Sequence, residues 1–247
     1  MTSGHEAVAI IPVRVGSQRL PGKALLAESG RPLFLHTWER AVAAQSFAAS
    51  YIATDSEEVA AAAAAAGAPV LRTSPDCQTG SERCAEGAAT LGPEVGYVVD
   101  IQGDWPEVAP ADLDALVASL RAGDAPTATL AAPLPDDAAF ANPNVVKVVR
   151  GLRGDALYFS RAPIPHGAPR DQRLRHIGVY GFTRDALAAI RSLPSSGLAE
   201  AESLEQLRFL ENGLRMQVLA ASSEPWGIET REDYDAFLTR LRARSSN

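Results

Sequence analysis

The chain has 247 residues, with 23 Lys+Arg against 30 Asp+Glu for a formal net charge of −7, and 46% of it is hydrophobic. This is enough apolar material for a full core, and it excludes disordered, collagenous and membrane-embedded classes. The acidic balance also argues against nucleic-acid binding, because neutralising a phosphate backbone needs a basic surface, although a few well-placed cations suffice for a small anion.

The start, MTSGHEAVAIIPV, has no basic region and only a short apolar run before Arg14, so it reads as neither signal peptide nor anchor. Val8–Val13 follows as a buried first strand, and Arg14–Lys23 as a glycine-bearing loop after it, where α/β folds place phosphates. Residues 31–46 form an amphipathic helix, Tyr51–Thr54 a strand, and Ser56–Ala66 a helix capped by Ser56 and stopped by Gly67. Pro69–Arg72 reads as a strand, Ser81–Leu91 as a helix, and Gly96–Ile101 as a strand running into the tight turn Gln102-Gly103-Asp104-Trp105-Pro106.

Ala111–Arg121 continues as a helix, so Asp104 is placed at the carboxyl end of a strand, the ligand-binding edge of open α/β sheets. Thr127–Ala132, Val145–Val149 and Ala156–Phe159 follow as strands, and 160–175 as a loop over the sheet. His176–Phe182 is a strand, Thr183–Ser192 and Ala201–Glu211 are helices, Met216–Ala220 is a strand and Glu232–Arg242 a terminal helix. The alternation of short β-branched runs with Ala/Leu-rich stretches is α/β, and no linker divides it, so residues 1–247 are expected to form one domain.

Cys77 and Cys84 match no metal-ligand spacing and point to a reduced, cytoplasmic setting. Only two lysines, Lys23 and Lys147, stand among 21 arginines, which suggests positions where a compact ammonium is required and a planar guanidinium does not fit. The loop Arg14-Val-Gly-Ser-Gln-Arg-Leu-Pro-Gly-Lys23 offers backbone N–H groups, a hydroxyl, two Arg and a Lys, a set suited to a polyphosphate. It matches neither the Walker loop nor the dinucleotide fingerprint. Asp104 and Glu229 are candidate ligands for a hard cation such as Mg²⁺, which takes one or two carboxylates and completes its shell with water and phosphate. Glu229 also reads as an acid at the start of the last helix. His176 could hydrogen-bond an anionic substrate. Glu202, Glu205 and Arg208 are spaced to share one helix face, as an ion-pair ladder or a polar wall.

The strings IIPVRVGSQRLPGKAL, IATDSEEV, QTGSERCAE, DIQGDWPEV, NPNVVKVV, ALYFSRAPIPH, RHIGVYGF, LEQLRFLENG and GIETREDYDAF occur in series over nearly the whole chain. In that order and spacing the chain resembles the 3-deoxy-manno-octulosonate cytidylyltransferases, the CMP-Kdo synthetases. The resemblance implies a Rossmann-like nucleotidyltransferase with a mixed central sheet flanked by helices. It also implies a homodimer that joins CTP to a sugar acid with release of pyrophosphate. By matching position, Arg14, Ser17, Gln18, Arg19 and Lys23 would hold the triphosphate, with Lys23, Arg19 and Asp104 as the catalytic group. Thr79, Gly80, Ser81, Arg83 and Gln102 would lie around the cytidine, and Asp104 and Glu229 would bind Mg²⁺. Arg161, His176, Tyr180, Glu205 and Gln206 would line the acceptor, with acceptor and dimer elements within about 140–215.

The chain also departs from the pattern. Trp105 stands where the family turn carries an acid, Glu229 where it carries Asp, Cys77 where it carries His, and the loop before RHIG is shorter. These changes lie on the metal and acceptor side, so a small phosphonate such as phosphonoformate is a second acceptor reading, and a non-catalytic nucleotide-binding relic a third.

Overall fold

The computed structural model describes residues 5–17 and 19–245. Nine strands form its sheet: β1 (Glu6–Pro12), β2 (Phe47–Thr54), β3 (Val70–Arg72), β4 (Val95–Ile101), β5 (Thr127–Pro133), β6 (Lys147–Arg150), β7 (Ala156–Ser160), β8 (Leu174–Thr183) and β9 (Met216–Ala220). The order is β3-β2-β1-β4-β8-β5-β9, with β6 paired to β7 and β8. β1 runs parallel to β2 and β4, and β5 parallel to β9, whereas β8 is antiparallel to both β4 and β5. The sheet is therefore mixed.

Both faces are covered, which is why the central strands are apolar throughout rather than alternating. Ala7, Ala9 and Ile11 of β1 turn to one face, with Phe34 of α1 (Leu33–Val42) and Leu113, Leu116 and Val117 of α4 (Pro110–Ala122). Val8 and Ile10 turn to the other, with Cys84 of α3 (Gly80–Ala89), Leu187 of α6 (Arg184–Ile190) and Phe209 of α8 (Glu205–Glu211). The period-two alternation of a strand delivers successive residues to the two layers. α2 (Glu57–Ala65) begins at the expected cap, Ser56, whose hydroxyl accepts from the Val59 N–H at 3.3 Å.

A third cluster of Leu33, Ile228, Tyr234, Phe237 and Leu238 lies under the last helix, residues 231–245, and takes in Leu20 and Leu26. It fastens the carboxyl end of the basic loop to the segment that carries Glu229. No helix of the described residues is long and apolar enough to cross a membrane, and both cysteines are free thiols.

The expected helix over Ala201–Glu211 is two elements. α7 (Gly197–Glu202) ends at Ser203, which adopts a left-handed φ of 53°, and α8 starts after it. Leu204 N–H closes back on Ala199 O at 3.1 Å while its side chain is buried. The shared face of Glu202, Glu205 and Arg208 is thus corrected: Glu202 accepts from Ser160, and Arg208 pairs with Glu82 at 3.0 Å. Within the expected loop over 160–175 the chain makes a 3-10 turn at Arg170–Gln172, and β8 begins already at Leu174. The short helix α5 (Asp137–Ala141), capped by Asp136, was not anticipated.

Candidate active site

The basic loop leaves β1 and turns at Gly22, whose φ of 66° is left-handed and favours glycine. Lys23 then opens a 3-10 turn, Lys23–Leu25. Arg14, Ser17, Arg19 and Lys23 line one cleft together with Gln102, Asp104 and Glu229. Gln18 lies outside the described residues. Lys23 Nζ donates to Asp104 Oδ2 at 2.5 Å and to Ile228 O at 2.7 Å. Arg19 forms an ion pair with Glu229 and reaches Asn144 Oδ1 at 3.5 Å across the cleft.

Asp104 stands on the turn after β4, closed by Trp105 N–H to Gln102 O at 3.1 Å. The Ile228 N–H donates to Asp104 O at 2.9 Å, tying the two acid-bearing segments together. Burial, and then the charge of Asp104, raise the pKa of Glu229 against the opposing pull of Arg19. Two carboxylates close enough to repel, each held by a basic side chain, form a donor set that suits a hard divalent cation. Among the described residues no three His, Cys, Asp or Glu side chains are arranged to hold a metal, so substrate oxygens would have to complete such a shell.

The expected cytidine group divides. Gln102 lines the cleft and donates through Nε2 to Asp100 Oδ1 at 2.7 Å. A Cβ added at Gly80 would collide with the Gln102 amide, so a side chain there would push Gln102 out of its present position. Thr79 caps α3, accepting from Glu82 N at 3.2 Å. Ser81 and Arg83 are interior: Ser81 donates to Asp100 Oδ2 at 3.1 Å, and Arg83 donates to Thr73 and pairs with Asp55 at 2.8 Å. Both line neither cleft, so their placement supports Gln102 and the wall behind it. Burial, and then the Glu205 charge, push Asp100 well above the usual carboxylate range.

Arg161, His176, Tyr180, Glu205 and Gln206 line a second cleft, which also takes in Gln102, Asp104 and Glu229. The structure therefore brings the sequence-predicted acceptor group together around the same acids. Tyr180 pairs in register with Asp100 across β4 and β8, which sets it beside that carboxyl. Glu205 is raised in pKa by burial, and Glu205 Oε2 and Gln206 Nε2 are buried without hydrogen-bond partners. Arg161 is largely spent on backbone: its guanidinium donates to Glu202 O at 2.8 Å, Pro143 O at 3.0 Å and Ser203 O at 3.4 Å.

His176 is held against Thr129 Oγ1 at 3.0 Å and edge-on to Phe159. Burial lowers its pKa from 6.5 to about 3, so in the fold it is a neutral hydrogen-bonding group. The unfolded side chain takes up a proton below about pH 6.5, and the folded one does not until near pH 3. Stability from this site is thus complete above pH 6.5 and lost as pH falls. Between about pH 6 and about pH 4, wild type is expected to lose up to ~1.4 kcal/mol per pH unit more than His176→Gln in urea titrations. Parallel curves for the two proteins would show that the folded imidazole protonates freely.

Sequence reasoning missed Asn142, Asn144, Arg175 and Trp226, which line the second cleft. The signal for the first two was present, because Asn142 and Asn144 stand in the same string as Lys147, NPNVVKVV. Lys147 Nζ is fully buried and donates to Asn142 O at 3.0 Å, Val145 O at 2.7 Å and Arg161 O at 2.6 Å. Three convergent carbonyls match the three donors of an ammonium, and a planar fork cannot reproduce them. Lys147→Ala is expected to cost about 3 kcal/mol or more in denaturant unfolding, with Lys147→Arg also destabilised. Wild-type stability in both would remove this role. Trp105 lies between two glycines: an added Cβ would sit 2.9 Å from its Nε1 at Gly178 and 3.0 Å from Cζ2 at Gly227.

A mixed α/β sheet with a basic loop after its first strand, facing Asp104 past the end of β4 and Glu229 just ahead of the last helix, is an arrangement suited to a nucleotidyltransferase. The Cytidylyltransferase family model matches residues 8–217. The 3-deoxy-manno-octulosonate cytidylyltransferase of Anaeromyxobacter sp. (strain Fw109-5) is 44% identical, over 97% of this chain and 98% of its own. That of Chlorobaculum tepidum is 42% identical, over 96% and 98%. A solved CMP:2-keto-3-deoxy-manno-octonic acid synthetase complexed with CTP superposes with a TM-score of 0.90 at 35% identity, covering 97% of this chain and 99% of that one. The chain belongs to the 3-deoxy-manno-octulosonate cytidylyltransferase (CMP-Kdo synthetase) family. It is a CTP-dependent nucleotidyltransferase.

Proposed function

We propose that this cytidylyltransferase moves CMP from CTP to 3-deoxy-manno-octulosonate (Kdo) or a similar ulosonic acid, releasing pyrophosphate. The observation that carries the reading is that Gln102, Asp104 and Glu229 line both clefts, so a nucleotide in one and an acceptor in the other would meet at these three residues. The names of the relatives favour Kdo, and they lend no support to a phosphonate acceptor or to a non-catalytic relic.

In this reading Arg14, Ser17, Gln18, Arg19 and Lys23 bind the triphosphate. Lys23 and Arg19 exchange their carboxylate partners for phosphate oxygens. The acceptor hydroxyl oxygen forms a bond to the α-phosphorus and releases its proton to water while the bond to pyrophosphate breaks, and preorganised cations stabilise the charge that leaves. No covalent enzyme intermediate is required. Gln102, set by Asp100 and Gly80, orients the nucleotide, and Glu205, Gln206, Tyr180 and neutral His176 orient the acceptor. Mg²⁺, held by Asp104 and Glu229, would neutralise phosphate charge. The exposed Leu152 and Leu157 of the β6–β7 segment, at 108% and 62% exposure, are candidates for a homodimer contact. The free thiols suit a cytoplasmic setting.

Pyrophosphate release with CTP, Mg²⁺ and a panel of Kdo, nonulosonic acids and phosphonoformate tests the proposal. Release with Kdo and CTP, abolished by excess EDTA and weak with ATP or UTP, is expected. Release only with phosphonoformate, or none with any ulosonic acid, would remove it.

A further inference from the structure

Arg175 is a buried cation that the proposed reaction leaves unused. It sits on β8, in register with Lys147 and Ala132, at 2% exposure. Its Nη1 donates to Pro225 O at 2.7 Å, and its guanidinium carbon lies 4.2 Å from the centre of the Trp226 ring. Its Nη2 is buried and has no hydrogen-bond partner. No ion pair among the described residues includes it.

Taking a guanidinium out of water without a counter-charge is unfavourable, and a stacked indole and one carbonyl offset only part of that cost. The missing partner is an anion, and Arg175 lines the second cleft, where one can enter. The acids nearby do not supply it: the charge of Glu224 acts on Arg175 without an ion pair, and Asp104 and Glu229 in the same cleft pair with Lys23 and Arg19. Trp105, packed against Gly178 and Gly227, adds only an uncharged indole to the cleft. Arg161, expected from sequence to meet the acceptor, is committed to three carbonyls, which leaves Arg175 as the buried guanidinium with an open donor.

We propose that Arg175 is a specificity-determining residue that binds an oxyanion of the acceptor through its free Nη2, against the Trp105–Trp226 wall. The chemistry is that of a carboxylate or phospho group, which a guanidinium recognises through directed, charge-assisted hydrogen bonds. This deepens the acceptor reading above and rests on it; there the oxyanion is the carboxylate of the sugar acid.

The test compares wild type, Arg175→Met and Arg175→Lys on Kdo and on Kdo methyl ester, with CTP and Mg²⁺ saturating. Arg175→Met is expected to raise KM for Kdo roughly 10- to 100-fold, the loss of one hydrogen bond to a charged group. KM for CTP should stay within about twofold, and the ester should be used equally poorly by wild type and variant. Unchanged KM for Kdo, or equal losses on Kdo and ester, overturns the proposal. Should Arg175→Met fail to fold, Arg175→Lys decides. Its shorter reach should narrow the preference for Kdo over the ester, and an unaltered preference overturns the assignment. If wild type does not use Kdo at all, the acceptor reading fails separately. Thermal protection by inorganic phosphate then decides: protection weaker in the Arg175 variant than in wild type supports the oxyanion site, and equal protection overturns it.

Discussion

Lys23→Ala is expected to lower kcat/KM for CTP by roughly 10²- to 10³-fold, the range seen when one preorganised charge-stabilising contact is removed. The ammonium already converges on Asp104 and Ile228 O, at 2.5 and 2.7 Å, and lines the cleft with the rest of the basic loop. Its position does not depend on flexible surface geometry, because Leu20 and Leu26 on either side of it pack with Leu33, Ile228 and Tyr234. A nucleotide would compete with Asp104 for this cation, and the contact strengthens as charge moves to the leaving pyrophosphate. Because Lys23 is part-exposed and donates to a residue that keeps other contacts, the melting temperature should shift little. Steady-state kinetics at varied CTP, beside a melting curve, make the check. Wild-type kcat/KM in a folded Lys23→Ala protein would reduce the loop to an ordinary basic surface.

Glu229→Gln is expected to abolish turnover, whereas Glu229→Asp should keep metal dependence and lose on the order of 10²-fold in rate. Glu229 is paired with Arg19, and its raised pKa reports both burial and the neighbouring charge of Asp104. Gln removes the second charge of the pair. Asp preserves it one methylene short, and a misplacement near 1 Å carries about that penalty. The competing role is that of an acid near the N-terminus of the last helix, where Gln would cost only about 0.3–1 kcal/mol of stability and leave the rate alone. In the structure it is Asp233, not Glu229, that accepts from the N–H groups of Glu229 and Thr230, at 3.0 and 2.9 Å. The helix-start role is thus already filled. Rates of both variants at saturating CTP and Mg²⁺ separate the two cases, and near-normal turnover by Glu229→Gln sinks the ligand role.

Much of the site was legible before any coordinates. The first strand, the glycine-bearing loop after it, the strand that runs into the turn at Asp104 and the cap at Ser56 all follow from local chemistry: apolar runs, glycines that permit tight turns, a hydroxyl that can accept from a helix N–H. The helix over Ala201–Glu211 was misread because its apolar spacing continues across Ser203. Only the packing of Leu204 and the return of Glu202 to Ser160 and the Arg161 N–H, at 2.5 and 2.9 Å, break it there. The resemblance places Ser81 and Arg83 around the cytidine, whereas their burial comes from packing against Asp100 of β4 and against Asp55 and Thr73, which the motif does not contain.

By itself the sequence determined the α/β class, the order of elements and the residues of the basic loop, since these depend on periodicity, turn chemistry and the spacing of motifs along one stretch of chain. The tertiary structure alone decided that β8 enters antiparallel between β4 and β5, which sets Tyr180 beside Asp100. It alone placed Lys147 under three carbonyls and left Arg175 buried with a free Nη2. Those outcomes depend on which backbone groups and charges from remote segments are brought together and closed off from water, and no local pattern encodes what a side chain will lack once it is buried.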